Sequence, residues 1–105
     1  MADFIQVQTT TERREEAEAI AGELVAQRLA ACAQVVGPIT STYRWQGQVE
    51  RAEEWLLLIK TTGAMYEQVE EAIRRLHAYE VPEIIALPID RGSEGYLGWV
   101  AAQVE

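Results

Sequence analysis

The sequence predicts an α+β domain of the βαββαβ kind, with a long β-hairpin and an extra C-terminal helix. Three observations lead there. The chain has 105 residues, enough for one hydrophobic core and too few for two. Hydrophobic residues make up 49% and charged residues 25%, the balance of a folded globular chain, which excludes disordered and collagen-like architectures. The third observation is the hydrophobic period, which switches several times between the strand and helix values.

The elements follow in order. Residues 4–9 alternate, with Ile5, Val7 and Thr9 on one side and Phe4, Gln6 and Gln8 on the other, as in a half-buried strand. Thr9, Thr10 and Thr11 then read as an N-cap, and Glu12, three residues after Thr9, completes a capping box. Glu12, Glu15, Glu16 and Glu18 place negative charge at the positive end of the helix that follows. Ala17, Ile20, Ala21, Leu24, Val25 and Leu29 recur at three- and four-residue spacing, which predicts an amphipathic helix ending near Ala31. Residues 33–46 return to β character with a Gly37-Pro38 break, and Gln46-Gly47 signals a turn into a second arm over 49–62. Thr62-Gly63 can cap a second helix, whose buried face is Met65, Tyr66, Val69, Ala72, Ile73 and Leu76. After Pro82, residues 83–89 are almost continuously apolar and predict a short strand buried on both faces. Arg91-Gly92-Ser93 is a turn, and Ser93 can cap a last helix carrying Tyr96, Leu97, Val100, Ala101 and Val104. This order is the ferredoxin-like split βαβ arrangement: a four-stranded antiparallel sheet with two helices on one face.

The hairpin is long for such a domain. An arm of about 14 residues at ~3.3 Å per residue reaches roughly 46 Å. A compact chain of this length is a sphere a little over ~30 Å across, so the tip around 44–49 overhangs its own domain. An exposed ribbon bearing Tyr43, Trp45 and Trp55 is an edge that proteins pair or cover. The hairpin is therefore expected to reach a neighbouring subunit of a homo-oligomer.

Charge narrows the choice of partners. Seventeen Asp and Glu against nine Lys and Arg give a net charge of −8, which repels phosphate backbones and anionic lipids. Neither nucleic acid nor a membrane surface is an expected partner. The longest apolar runs, 55–59 and 84–89, fall far short of the ~18 residues of a membrane span. The start, Met-Ala-Asp-Phe-Ile-Gln-Val, has no basic region followed by an apolar stretch, and a single cysteine cannot form an internal disulfide. The expectation is a cytoplasmic protein without a signal peptide.

Several strings also resemble a known family. They are Leu29-Ala30-Ala31-Cys32, Tyr43-Arg44-Trp45-Gln46-Gly47, Lys60-Thr61-Thr62, the run from His77 through Tyr79 and Val81-Pro82-Glu83-Ile84-Ile85-Ala86-Leu87-Pro88-Ile89, and Tyr96-Leu97 with Trp99. Together and in this order they are similar to the CutA family, the divalent-cation tolerance proteins. The resemblance spans the chain from first strand to last helix. It implies a ferredoxin-like protomer assembled as a homotrimer through its hairpins, a link to tolerance of copper and other divalent cations, and copper binding in some members. It implies no enzymatic reaction and no obligatory cofactor, with Cu(II) or another divalent cation as the ligand. The trimer is also similar to PII-type signalling proteins, which gives an alternative: a signalling or scaffold trimer binding a small molecule or protein in its inter-subunit clefts.

The chemistry-bearing residues are few. His77 is the only histidine; at the end of the second helix it either complements the carbonyl end or ligates a metal with Glu80 and Glu83. Where family members with proposed copper ligands carry a cysteine and a second histidine, this chain has Thr9 and Leu76, and Ala78 replaces the usual proline. Cys32 reads as a buried structural thiol, because the negative end of the preceding helix disfavours a thiolate. Tyr43, Trp45, Trp55, Lys60 and Tyr79 are the residues expected at the inter-subunit cleft or interface. No nucleophile or acid–base constellation can be named, so no catalytic residue is expected.

Overall fold

The computed structural model describes residues 2–104. Strand β1 (Phe4–Thr11) leads to helix α1 (Arg14–Ala26), then to the hairpin arms β2 (Cys32–Trp45) and β3 (Gln48–Thr62). A single 3-10 turn (Gly63–Met65) opens helix α2 (Tyr66–Leu76), and strand β4 (Ile85–Pro88) and helix α3 (Glu94–Gln103) complete the chain. The sheet order is β2-β3-β1-β4 with every pair antiparallel, which is the ferredoxin-like topology. Among the described residues no helix is long and apolar enough to cross a membrane.

The core lies between one face of this sheet and helices α1 and α2. Ile5 and Val7 of β1, paired with Thr61 and Ile59 of β3, meet Ile20 and Leu24 of α1 and Val69 and Ile73 of α2, all buried. Each such side chain contributes about 1.5–3 kcal/mol of burial. This is most of the apolar set that the two helical periods and the strand alternation predict; Val25 and Leu76, expected on the same faces, are exposed at the last turns of α1 and α2.

Four boundaries differ from the sequence reading. Thr9, Thr10 and Thr11 belong to β1 instead of capping α1; Thr11 Oγ1 donates to Arg13 O at 2.8 Å, and Arg13 is the residue before the helix. α1 stops at Ala26, because Arg28 adopts φ +60 and turns the chain while Leu29 N and Ala30 N still bond Leu24 O. Leu29 and Ala30 pack on the core from this turn, and Thr61 Oγ1 donates to Leu29 O at 2.7 Å to hold it. Thr62 makes no side-chain cap, and the 3-10 turn starts α2 in its place. β4 is an edge strand buried on one face only: Ala86 packs on the core, while Ile85 and Leu87 are 46% and 41% exposed.

Ser93 does cap α3, accepting from Tyr96 N at 3.2 Å. Gln46 and Gly47 form the two-residue hairpin loop with φ of +50 and +81, the positive pair that a type I′ turn requires. The hairpin makes the molecule long, 44 Å against 25 and 22 Å.

Candidate functional site

Strand alternation assigns each side chain of β3 to a face. Leu57, Ile59 and Thr61 face the helices, so Glu54, Leu56, Leu58 and Lys60 face the other way. On β2, Val36 lies opposite Leu56 and shares that outer face. Simple alternation would then turn Ile39, Tyr43 and Trp45 toward the helix side. A bulge between Val36 and Ile39 adds the residue that reverses this, and Ile39 pairs with Glu54. Ser41, Tyr43 and Trp45 consequently stand on the same face as Glu54, opposite Ala52, Glu50 and Gln48.

The connection from α2 to β4 runs beside these residues and closes a groove of about 860 Å³. Its walls are Tyr43 and Trp45 from the hairpin, Thr10 and Glu12 from the end of β1, and Tyr79, Glu80 and Glu83 from the connection, with Glu54 between them. Glu54 is buried, with 7% of its surface exposed, and its Oε2 accepts from the Tyr79 hydroxyl at 2.8 Å. Burial first, and the Glu54 carboxylate second, hold the Tyr79 phenol well above its ordinary pKa, so it remains a hydrogen-bond donor.

His77 anchors the connection. Its side chain is fully buried. Nε2 lies 2.7 Å from Thr10 O and so donates to it, while Nδ1 accepts from Tyr79 N at 3.1 Å. These partners specify the neutral tautomer with hydrogen on Nε2. The imidazole ties α2 to β1 and does not complement its own helix end as a cation, as the sequence had suggested. Glu16 Oε2 stands 3.7 Å from Nδ1 and accepts from Ala78 N at 2.8 Å. The tilted His77 and Tyr79 rings, 4.9 Å apart, complete the anchor.

The chain thus brings Tyr43, Trp45, Tyr79, Glu80 and Glu83 to one groove and leaves four other expected residues, Trp55, Lys60, Cys32 and His77, outside its lining. Trp55 lies over Gly37 on the helix side, where the Arg14 guanidinium sits 5.6 Å from its ring. Lys60 donates to Gln34 across the outer face and does not approach Tyr79 or Glu80 in the protomer. Cys32 is half-buried, not buried as expected, beside the Tyr96 phenol, whose pKa is raised by burial and then by the thiol. His77 reaches a metal only by giving up one of its two hydrogen bonds. Among the described residues no three His, Cys, Asp or Glu side chains cluster closely enough to hold a metal ion. Glu54 was missed from sequence: in Gln-Val-Glu-Arg-Ala-Glu-Glu it looks like one more solvated charge, and only the bulge-set pairing reveals it.

Known proteins resemble the whole chain. A family model described as CutA1 divalent ion tolerance protein matches residues 5–103. The divalent-cation tolerance protein CutA of Thermus thermophilus is 48% identical over 91 residues, covering 87% of this chain and 88% of that one. Its namesake from Archaeoglobus fulgidus is 37% identical over 105 residues and covers both chains completely. The chain spans 53% of the longer chloroplastic CutA protein of Arabidopsis thaliana, at 43% identity. The solved T. thermophilus structure superposes with a TM-score of 0.95 at 44% identity, over 97% of this chain and 99% of that one. A Xylella fastidiosa CutA structure gives 0.96 at 36% identity, over 99% and 100%. With matching sequence from β1 to α3 and matching backbone throughout, the chain belongs to the CutA1 family of divalent-ion tolerance proteins.

Proposed function

We propose that this protein works as a non-catalytic homotrimer in divalent-cation tolerance and binds divalent metal weakly. The observation that carries the assembly is the apolar surface left exposed on the outer face of the sheet. Val36, Ile85 and Leu87 expose 43%, 46% and 41% of their surface there, next to half-buried Leu56 and Leu58. Trp45, 46% exposed, extends the apolar surface to the hairpin tip. An apolar sheet face with an unpaired edge at β4 is normally covered, and further copies of the chain supply a matching surface.

The metal reading draws on what the relatives are named for and on Glu80 and Glu83, both exposed at the groove. Two carboxylates bind divalent ions loosely, and His77 joins them only by releasing Tyr79 N from Nδ1, a cost that keeps affinity low. Cu(II) leads the order expected for nitrogen and oxygen donors. The cytoplasmic location proposed for the chain fits its single, unpaired cysteine. The alternative reading, a signalling or scaffold trimer, is favoured by one observation, the groove itself.

Calorimetric titration with Cu(II) and Zn(II) tests the metal reading. Weak binding is expected, stronger for Cu(II), and lost when Glu80 and Glu83 are both changed to Gln. Unchanged binding in that variant would place the metal elsewhere.

A further inference from the structure

We infer that Lys60 and the glutamine amides beside it hold a small oxyanion between copies of the chain. The site closes only when a second copy covers the outer sheet face, so it rests on the assembly proposed above.

Two adjacent rows of side chains interrupt the apolar outer face. Strand pairing sets Lys60 beside Gln6 in one row, and Gln34, Leu58 and Gln8 across the next. Lys60 donates to Gln34 Oε1, and Gln6 Nε2 donates to Gln8 Oε1 at 3.3 Å. Both bonds use up carbonyl oxygens. Among the described residues the amide N–H groups of Gln34 and Gln8 find no acceptor, and the Lys60 ammonium finds only the one. The patch therefore offers N–H donors in excess over three strands, with a positive charge at its centre.

No carboxylate answers that charge. Among the described residues none lies within ion-pair distance of Lys60. The next charged residue on this face of β3 is Glu54, roughly 20 Å along the strand, and it already accepts from Tyr79. In water Lys60 needs no partner. Under an apolar cover it does, because an ammonium taken out of water is costly unless paired and hydrogen-bonded. A second copy of the same face brings the same surplus of donors and no carboxylate, so the counter-charge is a free anion. An oxyanion suits the patch, since its several oxygens accept from an ammonium and from amide N–H groups together. Half-buried Leu56 and Leu58, with Leu87 beside them, form the apolar surround that strengthens such bonds once water is excluded. The net charge of −8 repels a loose anion atmosphere, so an anion that the protein retains is held by a site.

Inorganic phosphate, compared with chloride at equal ionic strength, is the probe. Equilibrium dialysis and the thermal midpoint are read at phosphate concentrations far below those that stabilise proteins in general. The parent is expected to bind phosphate saturably and to unfold at a higher midpoint in its presence. Lys60→Met should weaken binding about tenfold or more, and Gln34→Leu about threefold. Sedimentation mass, measured on the same samples, separates this site from the assembly it depends on. A trimer that binds no phosphate, or one whose phosphate affinity Lys60→Met leaves unchanged, would overturn the inference and leave the assembly standing. If such a phosphate-free trimer were also loosened by Lys60→Met, a neighbouring carboxylate would be the counter-charge instead. Phosphate bound equally well by a species of single-chain mass would overturn the inference too, because the site would then need no second copy. A species of single-chain mass that binds none would remove both readings.

Discussion

Tyr79 and Glu54 meet across 25 residues of sequence, and their 2.8 Å hydrogen bond fixes the α2–β4 connection to the sheet. Replacing Tyr79 with Phe should cost about 1–3 kcal/mol, because a buried carboxylate loses its only described donor. The pH dependence has a definite sign. The folded phenol has its pKa raised above an ordinary value near 10, so its contribution is complete below about pH 10 and lost as pH rises beyond it. Urea midpoints of the parent should therefore fall in alkali, and Tyr79→Phe should show a shallower fall; Tyr66 and Tyr96, also raised, account for the remainder. Thr9 gives the opposite kind of prediction. It is fully buried and its Oγ1 has no partner among the described residues, so the near-isosteric Thr9→Val should raise stability by about 1 kcal/mol in urea unfolding. Neither Glu54 nor the orphan Thr9 hydroxyl was legible in the sequence. A strand period says which face a residue occupies but not which polar partner waits there.

At the scale of elements, most of the fold was legible and its junctions were not. Helices α1 and α2 and the paired arms announce themselves because burial imposes a period on ten or more residues. Thr9, Thr10 and Thr11 deceive because a β-branched hydroxyl residue suits a strand and a helix cap equally. The end of α1 was hidden because Leu29 and Ala30 continue the apolar pattern from a turn. The bulge matters most for function. Gly37-Pro38 reads as a break, but a sequence does not state how many residues a break inserts, and one residue moves Tyr43 and Trp45 to the other face. Gly37 is required there by contact: a Cβ would sit 2.5 Å from the Trp55 ring. Gly37→Ala must push that ring aside and should cost about 1–3 kcal/mol, read as a lowered unfolding midpoint.

At the scale of the whole molecule, the shape is elongated. A hairpin extends the chain to 44 Å, Val36, Ile85 and Leu87 of the outer sheet face are exposed, and Trp45 at the tip is 46% exposed. The overhang is legible in the sequence, from arm length against domain size alone. If Trp45 anchors in a neighbour, Trp45→Ala should weaken assembly by more than ~2 kcal/mol, read as dissociation at a higher protein concentration than the parent requires. Assembly is the central claim, because it alone accounts for the apolar face, the β4 edge and the long ribbon together. Sedimentation equilibrium at micromolar concentration tests it most directly. Three chains of 11.8 kDa should give a single species of about 35 kDa; a species at the mass of one chain, unchanged with concentration, would contradict it.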